Sequence, residues 1–345
     1  MARFDVTMRG AGIFGLSVAW SLVKRGARVQ VIDPAGVGAG ASGGIVGALA
    51  PHTPENWNEK KAFQFESLLM ARSFWPEVEA TGGKSSGYAR SGRLQPLADD
   101  RAVDLARARA EGSAGLWEGQ AEWRIVERAA GWDMASPSGL FVHDTLSAHL
   151  HPRRAVVSLA AALDAQGVNI VPDGEEEGAI VWATGVAGLA DLSHWFDRPV
   201  GAPIKGQAAL FQVDRRGAPQ LFADTLHIIP HADGTVAVGS TSERDFEDPT
   251  ACDGLLDDVV DRARAAVPDL ADAPILARWA GLRPRAKSRA PLLGPWPDRP
   301  GHFIANGGFK IGFGMAPKVG EVMADLILDQ HDTVPAAFSV DSCLT

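Results

Sequence analysis

Cysteine is nearly absent: the 345 residues hold two, Cys252 and Cys343, far apart and outside any C-x-x-C pattern. That argues against a disulfide scaffold or a zinc site and fits a reducing compartment. Positive charge is also in deficit, with 33 Lys and Arg against 42 Asp and Glu and a formal net charge of -9. A chain of that sign lacks the broad field that nucleic acid requires, so no nucleic-acid partner is expected. No apolar run approaches the ~18 residues of a membrane span. The first residues read as a short strand entering a turn, not as a signal sequence. The expectation is a cytoplasmic protein without membrane insertion and without a metal, and the sequence leaves the oligomeric state open.

What is present is ordinary globular composition, 46% hydrophobic and 22% charged, long enough for two substructures around a sizeable core. Residues 4–8 alternate apolar and polar as a strand does and stop at Gly10. Apolar residues at helical spacing over 13–24, closed by Gly26, predict a helix, and 28–33 predict a second strand. Further helices are predicted over 60–75, over the highly charged 101–112, over 152–166 with Pro152 in the first turn, over 253–267, and over 317–328. Residues 179–183 read as a short apolar strand closed by Thr184-Gly185. From 206 to 242 the texture changes to short β runs, 208–213, 226–229 and 236–239, with Asp233-Gly234 as a hairpin signal. A strand at 303–305 leads into a second glycine-rich turn. There is no internal repeat, and Glu175-Glu176-Glu177 reads as a solvated turn.

Gly10-Ala11-Gly12-Ile13-Phe14-Gly15 matches G-x-G-x-x-G between that first strand and helix. The first glycine permits the tight turn, the second admits a pyrophosphate to the backbone, and the third lets helix and strand pack closely. Free N–H groups and the positive end of the helix dipole would face the phosphates. Asp33, at the end of the second strand, stands where a carboxylate accepts hydrogen bonds from a ribose. Arg9, where a buried strand calls for an apolar residue, has no account in the pattern. The turn itself does not choose between nicotinamide and flavin.

Downstream motifs make that choice. Gly40-Ala41-Ser42-Gly43-Gly44 with Gly47, His151-Pro152-Arg153-Arg154, Ala183-Thr184-Gly185 and Lys205-Gly206-Gln207 follow one another along the chain. After them come Ile229-Pro230-His231 with Asp233-Gly234 and Val238-Gly239-Ser240-Thr241, then Gly281-Leu282-Arg283-Pro284 with Ala290-Pro291-Leu292-Leu293-Gly294. Last is Gly307-Gly308-Phe309-Lys310 with Gly312. In this order the chain resembles, over nearly its whole length, the D-amino-acid oxidase superfamily of FAD-dependent oxidoreductases, which includes glycine oxidase and monomeric sarcosine oxidase. The resemblance implies an α/β fold: a Rossmann-type FAD-binding domain with a second, smaller domain on a mainly antiparallel sheet. The FAD domain is expected from 1–80, 143–205 and 282–345, and the substrate domain from 81–142 and 206–281. The residues implied at the cofactor are Gly10, Gly12, Ile13, Phe14, Gly15, Asp33, Ala41, Ser42, Gly43, Gly47, Ala183, Thr184, Gly185, Gly308, Phe309, Lys310, Ile311 and Gly312.

A guanidinium can grip a planar carboxylate with two parallel hydrogen bonds, and the resemblance gives that task to Arg283. Lys310 matches a lysine that lies over the flavin in the sarcosine oxidase pattern. A final helix beginning near Ala316-Pro317 would aim its dipole at the flavin, with Gly312 and Gly314 permitting close approach. The only tyrosine, Tyr88, lies outside the hairpin where the family's D-amino-acid oxidases use one. His227 stands in that place, as a polar lid residue or an edge-strand side chain. His52 is a further candidate for the site wall, and Trp57 an apolar wall or core residue. No cysteine falls between 284 and 308, which implies non-covalent FAD. The short segment between 169 and 180, where relatives carry a longer β excursion, implies weaker or more exposed cofactor. The expected reaction is hydride transfer from the carbon beside an amine, with dioxygen or another acceptor reoxidising the flavin. The alternatives are a flavin oxidase of tRNA wobble-base modification, using the basic stretch 283–289, and a non-catalytic FAD-binding protein.

Overall fold

The computed structural model describes residues 3–344. The strand Val6–Arg9 lies inside a six-stranded sheet between Val29–Ile32 and Ala179–Trp182, parallel to both. The sheet continues through Ile170–Val171 on one side and through His302–Asn306 and Leu292–Pro295 on the other, the last pair antiparallel. Parallel strands need crossover connections, and the helix Ile13–Lys24 supplies the first of them. It packs against the helix Gly312–Asp329, where a Cβ on Gly320 would lie 2.6 Å from the Ser17 carbonyl oxygen. The helices Glu59–Gly82 and Pro152–Ala165 join this layer. Leu16, Leu22, Trp75 and Leu159 are fully buried in its core.

The second sheet has eight strands, in the order Ile275–Ala286, Gly201–Phe211, Val236–Gly239, Leu226–Pro230, Gln220–Ala223, Arg93–Pro96, Phe141–Asp144 and Trp123–Val126. Every pairing in it is antiparallel except Gln220–Ala223 with Arg93–Pro96. One face is covered by the helix Gly254–Ala266, whose Leu256, Val259, Val260 and Ala263 meet Phe211, Leu221, Ile228 and Val238. The period of two along Leu226–Pro230 therefore turns His227 and Ile229 to the opposite face. The expected unit boundaries at 142/143, 205/206 and 281/282 each fall inside a strand of this sheet.

Several elements differ from the sequence reading. The final helix begins at Gly312, and Pro317 lies inside it instead of in its first turn. A helical bond from Met315 to Ile311 already forms upstream of the proline, and the N–H of Lys318 is taken sideways by Ser67 Oγ at 3.2 Å. Packing likewise carries Glu59–Gly82 through Pro76, with Ala71, Trp75 and Val78 buried around it, against the ~3 kcal/mol cost of an interior proline. Gly185 opens a helix, Gly185–Trp195, instead of ending the strand. Leu226–Pro230 has neighbours on both sides, so His227 is not an edge-strand residue.

The acidic turn is tied down, not merely solvated. Gln30 donates to the Glu175 carbonyl at 2.6 Å, Thr7 Oγ1 to the Glu177 carbonyl at 2.8 Å, and Arg9 Nε stands 3.5 Å from Glu176. Arg9 also lies 5.6 Å from the Trp182 ring centroid, which accounts for a charged residue ending the central strand.

Candidate active site

The first glycine turn has the geometry of an anion cradle. Gly10 has φ 109°, and a Cβ on Gly15 would stand 1.9 Å from the Gly10 carbonyl oxygen. Only glycine allows this turn and this press of helix on strand. Gly12 caps the helix without a side-chain acceptor, and no acidic residue stands in the first turn. Ile13 N–H donates to Ser42 Oγ at 2.9 Å, joining the loop with Ala41, Ser42 and Gly43 to the turn. Asp33 accepts from Ala11 N–H at 2.7 Å with one oxygen and from Ala35 N–H at 2.9 Å with the other. The carboxylate is thus fixed beside the turn, with lone pairs remaining for hydroxyl donors. Ala183 closes the cradle from the neighbouring strand: a Cβ on Gly10 would lie 2.5 Å from its carbonyl oxygen. This donor set fits the diphosphate and ribose of a dinucleotide. Gly47 serves packing, since its missing Cβ makes room for the Leu150 carbonyl oxygen at 2.0 Å.

The second glycine turn meets the first. A Cβ on Gly308 would lie 3.0 Å from Phe14 Cζ, and one on Gly312 would lie 3.5 Å from Ile13 Cγ2. The same turn is tied to the eight-stranded sheet, because Phe309 N–H donates to the Pro284 carbonyl at 3.1 Å. Ile311, the N-cap of the last helix, carries no side-chain cap, so the start of that helix lies in this turn.

Arg283 precedes Pro284 and is buried. Its Nη2 donates to Ser240 Oγ at 2.6 Å and its Nη1 to the Thr241 carbonyl at 3.1 Å. The guanidinium lies flat on Gly206, where a Cβ would approach its Nη2, Cζ and Nη1 to 2.0, 2.1 and 2.2 Å. Burial pulls its pKa down to about 10, and the charge of Glu243 opposes that shift. Glu243 itself is engaged with Lys205 at 3.6 Å and Gln207 at 3.1 Å. Arg283 is therefore a buried cation whose hydrogen-bond partners among the described residues are neutral oxygens.

A cavity of 570 Å³ opens beside the second turn, with His52, Ile204, Gly308, Phe309, Lys310 and Ile311 in its wall. Partial desolvation, then the charge of Arg283, lowers the Lys310 ammonium. The His52 ring has a defined tautomer. Gln64 Oε1 accepts the backbone N–H of His52 at 2.8 Å and also faces Nδ1, while Gln64 Nε2 donates to the Ala50 carbonyl at 3.1 Å. The amide orientation is fixed by a backbone donor on one side and a backbone acceptor on the other. His52 therefore carries its proton on Nδ1, and its Nε2 is the free acceptor. Burial, outweighing the Gln64 hydrogen bond, keeps the ring neutral.

His227 and Arg283 are not part of this cavity wall. The His227 ring packs on Phe222 at 4.9 Å, and burial, with the charges of Arg93 and Lys310, pushes it down to about 3. Trp57 packs edge-on against Phe65 at 6.1 Å, as a core residue does, and burial raises the Tyr88 hydroxyl to about 12. The basic stretch does not form one surface. Arg283 is buried, Arg285 and Arg289 line the cavity, and Lys287 donates to the Cys343 carbonyl at 3.3 Å.

The family model of the FAD dependent oxidoreductases, DAO, matches residues 5–326. The chain belongs to this family. It is an FAD-dependent oxidoreductase, and its first turn fits that cofactor. A curated relative, the glycine oxidase of Pseudomonas putida, is 28% identical over 99% of both chains. The crystal structure of glycine oxidase from Geobacillus kaustophilus superposes with a TM-score of 0.83 at 21% identity, over 99% of each chain. That of an iminodiacetate oxidase from Chelativorans sp. BNC1 gives 0.83 at 23%, over 97% and 98%. At such identities the structures show a shared fold. No helix among the described residues is long and apolar enough to cross a membrane.

Sequence reasoning missed the Arg283 platform. Gly206, Ser240 and Thr241 lie far from it in sequence; Gly206 meets it through the register of Gly201–Phe211 on Ile275–Ala286, which pairs Ile204 with Arg283, and Ser240 and Thr241 through Val236–Gly239 on Gly201–Phe211. Gln64 carried no signal, being one polar residue in a helical pattern. The alternation of Arg283 and Arg285 along one strand face was available, but the stretch was read as a charge cluster instead of a strand.

Proposed function

We propose that the chain oxidises the C–N bond of a small amino acid or N-methyl amino acid to an imine, which water then hydrolyses. FAD supplies the two-electron acceptor that takes hydride from the carbon beside nitrogen. Gly10, Gly12, Ile13, Phe14, Gly15 and Asp33 would hold its dinucleotide half, with Ser42, Ala183 and Thr184 closing the cradle. Gly308 to Gly312 would border its reactive end. The cofactor is proposed to be non-covalent, since neither Cys252 nor Cys343 stands in the cavity wall.

Arg283 binds the substrate carboxylate. The observation that carries this reading is its state: a buried guanidinium, pre-set by Ser240, Thr241 and Gly206, with no carboxylate partner among the described residues. A preset cation costs no reorganisation when the anion arrives, and fixing the carboxylate orients the adjacent C–H bond. His52 accepts a proton from the substrate ammonium at Nε2, because only a neutral amine has the lone pair that assists departure of hydride from carbon. Lys310 adds positive charge at the edge where electrons arrive.

The similarity to curated glycine oxidases supports glycine-sized amines as substrates and dioxygen as acceptor. The test is anaerobic mixing of the purified yellow holoenzyme with glycine, sarcosine, proline and a panel of D-amino acids. Bleaching of the flavin band by at least one of them is expected. A holoenzyme bleached by none overturns the proposal.

A further inference from the structure

The chain is acidic overall, yet the cavity gathers cations. Lys60, Arg244, Arg285, Arg289 and Lys310 line it, and no aspartate or glutamate does. Elsewhere arginines are commonly paired: Arg93 with Asp144, Arg154 with Asp233 and Arg278 with Asp257. None of the five cavity cations forms an ion pair among the described residues. Three of them, Lys60, Arg285 and Lys310, are held in place. Lys60 Nζ donates to the Arg289 carbonyl, and the Phe309 ring holds Arg285 and Lys310 at 5.8 and 5.7 Å from its centroid. They also oppose one another: burial, then Arg289 and Arg244, lowers Arg285, and burial, then Arg289, lowers Lys60.

Like charges in one cavity are unfavourable unless an anion offsets them, and walls of low dielectric concentrate their field. One α-carboxylate on Arg283 and the flavin edge beside Lys310 account for two cations and leave Lys60, Arg244, Arg285 and Arg289 over. The dinucleotide phosphates do not account for them either, because none of Gly10 to Gly15 lines this cavity. Its 570 Å³ is the size of a small-molecule site. Arg285 follows Arg283 by two residues on one strand, so the two point to the same face.

We propose that the substrate is dianionic: a small amino acid with a second carboxylate, the α-carboxylate on Arg283 and the second on Arg285, Arg289 and Arg244. This deepens the amine-oxidation reading and rests on it for the word substrate, but the dianion site itself is testable without turnover.

The flavin absorbance of the FAD-loaded enzyme is titrated with succinate and, separately, with propionate, at fixed ionic strength. The same titrations are made on Arg285→Met and Arg289→Gln. Succinate is expected to bind at least tenfold more tightly than propionate, and each substitution to bring that ratio down at least fivefold. In turnover, one enantiomer of aspartate is expected to exceed the matching alanine at least tenfold in kcat/KM. Equal affinity for the two ligands, or a ratio that survives both substitutions, overturns the proposal. If alanine or glycine bleaches the flavin and no dicarboxylate is preferred, oxidation stands and the dianion site falls. If succinate is preferred through these arginines but no amine bleaches the flavin, the site stands and the oxidation reading falls.

Discussion

Gly206→Ala separates the role of Arg283 from the fold. The new Cβ would meet the guanidinium at 2.0–2.2 Å, whereas carbon and nitrogen rest near 3.5 Å, so the head group must retreat by roughly 1.5 Å. It is the far end of a flexible side chain, which moves more readily than the strand beneath it. That retreat breaks the 2.6 Å bond to Ser240 and the 3.1 Å bond to Thr241, each charge-assisted and worth about 1.5–3 kcal/mol. A misplacement of this size, with both anchors lost, should remove about 3 kcal/mol of transition-state binding, roughly a hundredfold in kcat/KM. The assay is anaerobic stopped-flow reduction of the flavin by the best amine, beside thermal unfolding and the flavin-to-protein absorbance ratio. Flavin content is expected to stay at the parent level. A variant that keeps kcat/KM within threefold, with native flavin content, refutes the assignment of Arg283 to the carboxylate.

Gly15→Ala places a Cβ 1.9 Å from the Gly10 carbonyl oxygen, and backbone on backbone has no way to yield. The purified variant should carry less than a tenth of the parent flavin by its 450 nm to 280 nm ratio. Gln64→Leu removes the hydrogen bond that raises the His52 pKa, so the acid limb of the kcat/KM profile should move to lower pH while the rate falls about tenfold. An unchanged profile would remove His52 from the proton path. His149 and His231 are buried and pushed down to about 4 and about 3. The folded state therefore binds fewer protons than the unfolded chain, and stability drops as pH falls below the ordinary histidine value. Between pH 7 and 5 each should cost about 2 kcal/mol, read as a lower urea midpoint at pH 5 that His149→Gln lessens.

The first βαβ unit was legible because its signals are local. The strand alternation, the G-x-G-x-x-G turn, the helical spacing to Lys24 and the acid at Asp33 all fall within one short stretch, and the observed elements follow it. The hairpin around Asp233-Gly234 was legible for the same reason. The long strands Gly201–Phe211 and Ile275–Ala286 were only partly legible, because their order rests on pairing with each other, not on local pattern. Pro317 was read as a first-turn residue, and the helix expected over 60–75 runs on through Pro76. Pro76 and Pro317 sit inside helices because buried neighbours outweigh the lost bond, a tertiary fact that no window of sequence contains. His52 and Lys310 were candidates from the sequence and both line the cavity, but the Gln64 contact that sets the His52 tautomer carried no local signal.

The Arg283 strand also connects the two halves of the site. Arg283 and Pro284 are adjacent, and the Pro284 carbonyl accepts the N–H of Phe309 in the turn that borders Phe14. The cation proposed for the carboxylate and the turn proposed to border the flavin are therefore joined through one backbone hydrogen bond. The proline at 284 has no N–H to give to the sheet, yet its carbonyl remains free to take this bond. The turn itself follows the strand His302–Asn306 of the six-stranded sheet, so this bond also ties the two sheets together. His227, three strands along the eight-stranded sheet, meets that turn electrostatically instead, since, after burial and Arg93, the charge of Lys310 helps to push its ring down.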